Sequence, residues 1–368
     1  MTTPHLHLAI DIGPLYGHRT GVGVAVDGMT TALGERDDVR LDPYLVSFRS
    51  TPGGGHRKLP LPGIVASHLW SRSDHPSADR WVGAADVVHG TNYVAPPSSR
   101  PTVISVYDCW FMMNPGEANA LVRRAGDNLR RRVASGAWVH TSSEATAVIA
   151  RDLLDTDRVV AIHLGPAPRV TETPTETPEP AVHLEGTEYV VAIGTEERRK
   201  GISTLVEAFG LIARESPNVR LVLAGAPGDE TKAVDAAVAT LTDQVRDRVD
   251  RLGVVDDTTK AWLLRHASVL AYPSLDEGFG FPILEAQAAG TPVVASDVGA
   301  IAEIAGGGVA LVSDRSPAGF ADRLISVIDG TTSRLGLISA GHENLGRFSW
   351  ASTATELMDL YRSALDQP

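Results

Sequence analysis

The chain has 368 residues, 43% of them apolar and 5% aromatic, and a formal net charge of −12. That length exceeds one ordinary core and implies two domains packed mainly with aliphatic side chains; the acidic balance argues against a general nucleic-acid binder. The single cysteine, Cys109, has no partner for an internal disulfide and fits a reducing compartment.

The opening residues, "MTTPHLHLAIDIG", lack the basic and apolar regions of a secretory signal. No apolar run approaches the ~18 residues of a membrane helix. A cytoplasmic protein is therefore expected. From there short aliphatic runs alternate with amphipathic stretches. "LHLAIDIG", "LDPYLVSF", "DVVHG", "PTVISVYD", "WVHTSS" and "VVAIHLG" read as buried strands of a first half. "YVVAIG", "VRLVLAGA", "SVLAYPS", "PVVASD" and "VALVSD" read as strands of a second. Such runs suit parallel strands covered on both faces. Between strands the spacing turns helical: Leu205, Ala208, Phe209 and Ile212 fall at i, i+3, i+4 and i+7. The fold class is α/β, with two doubly wound Rossmann-like domains.

The stretch "RVTETPTETPEPAVHLEG" between the halves is rich in Pro and Thr and reads as an extended linker. The expected division is an N-terminal domain over 1–170, a linker over 171–185, a C-terminal domain over 186–348 and a last helix over 349–368 that could pack back on the first domain. Ligand is expected in a cleft at the strands' carboxyl ends.

Two segments carry candidate chemistry. "LAYPSLDEGFGFPILEAQAAGTPVVAS" reads as strand, loop, helix and strand. Pro282 suits a first helical turn. Gly278 and Gly280 would let the backbone adopt positive φ and approach a ligand, and the helix start favours an anion. Glu277 and Glu285, with seven residues between them, would flank a phosphate there and accept hydroxyl hydrogen bonds. Phosphate plus hydroxyls describes a nucleotide sugar. Alternatively, Glu285 complements the helix dipole and Glu277 is a solvated loop acid. "VVAIGTEERRKGISTLVEAF" places Arg198, Arg199 and Lys200 between a strand and a helix. A diphosphate needs such cations; a solvated basic loop paired with Glu196 and Glu197 is the alternative.

Together these segments resemble the retaining glycosyltransferases of family four, which have the GT-B fold. "TGVGVAV", "VVHGTNYVAPP", "VISVYD", "VHTSSEA", "LVLAGAPG" and "LGVVDDTTKAWLLRHASVLAYPS" have counterparts in the same order. The resemblance implies that Thr195, Arg199 and Lys200 hold the donor diphosphate and that Glu285 accepts from the ribose. Glu277 and the amides of Phe279, Gly280 and Phe281 would meet the transferred sugar and β-phosphate. Gly21 and Gly23 would let an N-terminal loop close over the diphosphate, Val255 would pack by the base, and Asp108 with Tyr107 would stand beside the sugar's reacting face. Two positions depart from the family pattern: Tyr107 stands where His is common, and Thr195 where Arg is common. The resemblance implies a metal-independent transferase with a GDP- or UDP-linked co-substrate, GDP-mannose first, acting on a glycan, lipid-linked or small-molecule acceptor and needing no cofactor. The histidines show no metal-ligand spacing with Cys or Glu. A sugar-nucleotide epimerase of the same fold and a non-catalytic nucleotide-binding regulator remain alternatives, although "GHRTGVGVAVDG" lacks the dinucleotide spacing.

"ALVRRAGDNLRRRVASGA" holds Arg123, Arg124, Arg130, Arg131 and Arg132. That helix could meet anionic lipid at the inner membrane face, or simply present a solvated charged surface.

Overall fold

The computed structural model describes residues 5–16, 20–46, 57–59, 61–167 and 176–367. The chain divides into two compact units: residues 1–165 with 348–368, and residues 166–347. The C-terminal helix Trp350–Asp366 thus belongs with the first unit.

Unit 1 contains β1 (Leu6–Asp11), β2 (Val39–Val46), β3 (Arg57–Leu59), β4 (Val87–Gly90), β5 (Thr102–Val106), β6 (Trp138–Thr141) and β7 (Val159–Ala161). They form one sheet in the order β3-β2-β1-β4-β5-β6-β7, with parallel pairing throughout. The order reverses between β1 and β4, the point where such sheets take ligands at their carboxyl ends. Unit 2 contains β8 (Tyr189–Ile193), β9 (Arg220–Ala224), β10 (Val249–Gly253), β11 (Val269–Tyr272), β12 (Val293–Ser296) and β13 (Ala310–Val312), in the parallel order β10-β9-β8-β11-β12-β13. Here the reversal lies between β8 and β11. Val190, Leu205, Phe209 and Leu221 pack on one side of this sheet, and Val191, Val222, Leu270 and Ile283 on the other. Helices on both faces explain why its central strands are continuously apolar.

Two strands escape the apolar pattern. Arg57–Leu59 and Val249–Gly253 are edge strands, and "VDRLG" is half-exposed with two charges. Edge strands tolerate charge because one side stays in solvent. The expected extended linker also needs correction where it is described: Glu179–Leu184 is a 3-10 turn whose Ala181 and Leu184 are buried in the unit 2 core. Residues 168–175 lie outside the described residues.

The C-terminal helix docks through Trp350. A Cβ on Gly28 would lie 2.2 Å from its ring, and one on Gly165 would lie 2.5 Å away. Only hydrogen fits at either position. Farther along, Tyr361 joins a buried polar chain. His89 Nδ1 lies 2.8 Å from Tyr361 Oη, and His89 Nε2 lies 2.8 Å from Ser105 Oγ. Ser105 Oγ lies 2.8 Å from His140 Nδ1, and His140 Nε2 lies 3.3 Å from the Ile162 carbonyl. The carbonyl can only accept, so Nε2 of His140 carries a proton, and each earlier link is fixed in turn. Ser105 donates to His140, His89 Nε2–H donates to Ser105, and Tyr361 donates to His89. Both imidazoles are neutral, and a second proton on either would set two donors against each other. Burial pushes His140 down to about 4 and His89 well below its usual value.

The sign of the linkage follows. The unfolded histidines take up protons below about 6.5, while the folded ones do not. Stability from this chain is present above pH 6.5 and is lost as pH falls toward the folded value. At pH 5 the loss is of order 2 kcal/mol per histidine. Melting temperatures at pH 7.5 and pH 5 should therefore drop more in the wild type than in His140→Gln. Equal drops would show that the chain does not carry the linkage.

Candidate active site

In unit 2 the basic loop follows β8 and the Glu277 loop follows β11, the two strands flanking the reversal of order. Leu275 N donates to the Arg199 carbonyl at 2.6 Å, tying the loops together. Gly201 (φ +62°) completes the join: a Cβ there would sit 2.4 Å from the Pro273 carbonyl oxygen. Glycine is required on both counts.

These joins bring Lys200 and Arg199 onto Glu277. Lys200 Nζ donates to Glu277 Oε1, as does Ser274 Oγ at 2.7 Å. Arg199 lies 3.5 Å from Glu277 Oε2 and pairs with Glu197 at 2.9 Å. Lys200 also reaches Tyr272 Oη at 3.2 Å and lies over its ring. Burial raises the Glu277 carboxyl, but Lys200 and Arg199 outweigh it and hold the group below its usual value. Burial lowers Lys200, and the Glu277 charge offsets only part of that. The pair is ionised at neutral pH. Of the alternatives for the acids, Glu277 is not solvated; it is 7% exposed. Glu197 does pair with Arg199, whereas Glu196 is buried and bound by Arg251 at 2.7 and 2.8 Å.

The Phe281–Ala289 helix starts behind Gly280, which takes φ +91° as its cap. Of the two glycines expected at positive φ, only Gly280 adopts it. Phe279 and Phe281 are buried edge to face, with centroids 5.0 Å apart. Glu285, in the first turns, is 4% exposed and accepts from Lys260 Nζ at 2.7 Å. Sequence reasoning missed Lys260; it lies 25 positions earlier, on the Asp257–His266 helix, and only tertiary structure brings it to Glu285. The neighbouring helix start at Ile202 is already occupied. Glu230 accepts from Ile202 N at 3.1 Å and from Ser203 Oγ at 2.5 Å.

Thr195 is half-buried beside Gly194, and Val255 is half-buried against the core while Val254 is 57% exposed. A cavity of about 160 Å³ opens among Gly194, Glu196, Gly225, Arg251 and Gly253, at the carboxyl ends of β8, β9 and β10.

In unit 1, Asp108 accepts from Tyr93 Oη at 3.0 Å and from Trp110 N at 3.2 Å. Tyr107 is 8% exposed, and its hydroxyl makes no hydrogen bond among the described residues. Burial pushes its phenol well up, so it stays neutral and is not a base near pH 7. Gly21 and Gly23 need correction. They do not sit in a loop; Gly21 begins the Gly21–Gly34 helix and Gly23 is buried in its first turn. The apolar "VGVAV" that follows drives helix packing.

Comparison with known proteins decides the class. The glycosyl transferases group 1 family matches residues 187–330, which span the site of unit 2. Those residues are a glycosyl transferases group 1 domain. The phosphatidyl-myo-inositol mannosyltransferase of Mycobacterium leprae is 28% identical over 355 residues, covering 89% of this chain and 85% of its own. The D-inositol 3-phosphate glycosyltransferase of Segniliparus rotundus is 34% identical over 196 residues, 50% of this chain and 41% of its own. Sucrose-phosphate synthase of Thermosynechococcus elongatus shares the fold, with TM-score 0.74 at 18% identity over 99% of this chain and 100% of that one. The chain is a glycosyltransferase of GT-B type.

In this glycosyltransferase the buried pair gives a direct test. Glu277→Gln leaves Lys200 buried without its anion. Breaking such a pair costs roughly 3–5 kcal/mol. The variant should melt lower than wild type without ligand and recover part of the loss with GDP or UDP, because a diphosphate can replace the carboxylate. Differential scanning calorimetry with and without nucleotide measures both. A larger nucleotide-induced shift in the wild type would show that the diphosphate does not meet Lys200.

Proposed function

We propose that the enzyme transfers a mannosyl group from GDP-mannose to a hydroxyl of an inositol-containing lipid or small polyol, with retention of configuration and without a metal. One observation carries this reading: Lys200 and Arg199 are held in place at the strand reversal of unit 2. The names of the relatives support the sugar and the acceptor class.

On this reading Arg199 and Lys200 bind the donor diphosphate, with Thr195 and the Gly280–Phe281 backbone at the helix start beside them. Their charge stabilises the phosphate as the glycosidic bond breaks. Glu277, freed from the cations, turns to the transferring sugar. Glu285, steadied by Lys260, accepts from the ribose, and Val255 packs by the base. The departing diphosphate takes the proton of the incoming hydroxyl, and Asp108 and Tyr107 position the reacting face. Unit 2 thus serves the donor and unit 1 the acceptor.

We place the enzyme in the cytoplasm, with contact at the inner membrane face. Among the described residues no helix is long and apolar enough to cross a membrane. The arginine assignment narrows. Arg132 is 5% exposed and, like Arg131, bound to Asp74. Arg123, Arg124 and Arg130, beside the 54% exposed Leu121, are left to meet anionic headgroups.

Transfer should persist in excess EDTA; activity lost there and restored by Mg²⁺ would overturn metal independence. Initial rates against donor concentration test the roles. Lys200→Ala should lower kcat/KM about 10- to 150-fold, the worth of a charge-assisted hydrogen bond of ~1.5–3 kcal/mol. Lys260→Ala and Glu285→Gln should mainly raise donor KM, and Glu277→Gln should mainly lower kcat. If Glu285→Gln abolished kcat while Glu277→Gln changed only KM, the two acids would exchange roles.

A further inference from the structure

Unit 1 holds an acid that no part of the donor chemistry uses. Asp11 is the last residue of β1, at the carboxyl edge of the sheet and at its reversal of order. The Thr91 hydroxyl, just after β4, donates to the Asp11 carbonyl at 2.8 Å and fixes the strand end. The Asp11 carboxylate accepts from Gly13 N at 2.8 Å. Among the described residues it has no ion-pair partner, in contrast to Glu277 and Glu285. Burial pushes it up to about 6, the Gly13 amide opposing only in part. Tyr107, directly after β5, lies close enough that the Asp11 charge adds to the effect of burial on its phenol. The Tyr107 hydroxyl is itself buried without a hydrogen-bond partner among the described residues.

We propose that Asp11 and Tyr107 form the seat for the acceptor's polyol hydroxyls, with Asp11 accepting their hydrogen bonds. A carboxylate without a cation cannot attract phosphate; it takes neutral donors. A hydroxyl pair on a ring would satisfy both Asp11 and the orphaned phenol, removing the penalty of leaving them unmet in a buried place. The phosphate of a phosphorylated polyol then lies away from this seat. The inference rests on the transferase reading for the acceptor's class, but the site is defined by binding and can be tested apart from turnover.

The groups that face Asp11 are Tyr44 of β2 and Tyr107, both of which feel its charge and stay neutral at the pH values of the test. His89 of β4 is neutral and engaged with Ser105 and Tyr361. For myo-inositol, which has no group that titrates in this range, loss of binding on acidification toward pH 6 and below therefore reports on Asp11; the phosphate of D-inositol 3-phosphate titrates near the same pH.

The experiment is calorimetric titration of the full-length protein with myo-inositol, D-inositol 3-phosphate, inorganic phosphate and GDP. The wild type should bind both inositols, more weakly as pH falls from 7.5 to 5.5. Asp11→Asn should weaken both by about 10- to 100-fold, the worth of a hydrogen bond to a charged group. It should also lose the pH dependence of myo-inositol binding, with GDP affinity kept. Tyr107→Phe should weaken the inositols in the same way. Folding is not at risk in Asp11→Asn, because the charged form is the one that burial penalises, and melting at pH 7.5 should not fall. Inositol affinity in Asp11→Asn within twofold of wild type, an equal loss for inorganic phosphate, or no inositol binding by the wild type would each overturn the seat. Asp11-dependent inositol binding without transfer from any nucleotide sugar would support the seat and sink the transferase reading instead.

Discussion

The candidate site of unit 2 depends on one buried ion pair, Lys200 with Glu277. It joins the loop after β8 to the loop after β11, across the strand reversal of unit 2. With Arg199 and Glu197 it makes a group of two cations and two carboxylates, formally neutral before ligand arrives. Burying either charge alone would be costly, so the pair fixes the loops in one arrangement. Gly201 and the Leu275–Arg199 backbone bond exist to let the two loops approach that closely. On the proposed reading, a diphosphate would meet cations already in position. Little reorganisation remains for the moment of reaction, and that is where electrostatic catalysis gains most.

Much of this was legible in the sequence because its physics is local. "YVVAIG", "VRLVLAGA" and "SVLAYPS" could only be covered strands, and Arg199, Lys200, Glu277 and Glu285 were placed by their position after strands or at a helix start. What stayed hidden is tertiary. Lys260 gives no sign in "DDTTKAW" that it will reach Glu285, since helical spacing says which face a residue is on and not what that face meets. Glu196 reads as one more loop acid, yet Arg251 on the polar edge strand β10 claims it. That strand itself escaped because solvent on one side permits "VDRLG" to lose the apolar run. Asp11 did leave a signal, an acid closing the buried stretch "LAID", and only the missing cation beside it gives that signal meaning.

The glycine loop shows the opposite failure. "TGVGVAV" has the composition of a ligand loop, and its likeness to a family motif encouraged that reading. The residues that follow are small and apolar at helical spacing, and Gly28 must leave room for Trp350. The Gly21–Gly34 helix packs against the C-terminal helix, and Gly28 serves that contact.

The two units treat buried polarity in contrasting ways. Unit 2 pairs three of its buried carboxylates with cations, Glu277 with Lys200, Glu285 with Lys260 and Glu196 with Arg251, while Glu230 is held by hydrogen bonds from Ile202 and Ser203. At the carboxyl ends of its central strands unit 1 buries neutral polar groups: His89, Ser105, His140 and Tyr361 relay hydrogen bonds with no net charge, and the Tyr107 phenol is held protonated, while the buried Arg132 pairs with Asp74 elsewhere in the unit. Such surroundings explain why Asp11 is pushed up, since among the described residues no cation pairs with it to offset burial. A ligand suited to unit 2 is an anion that can exchange with a carboxylate. A ligand suited to unit 1 is uncharged where it binds and rich in hydroxyls. The proposed division of labour between a nucleoside diphosphate and a polyol rests on how each half of the chain handles charge in its interior.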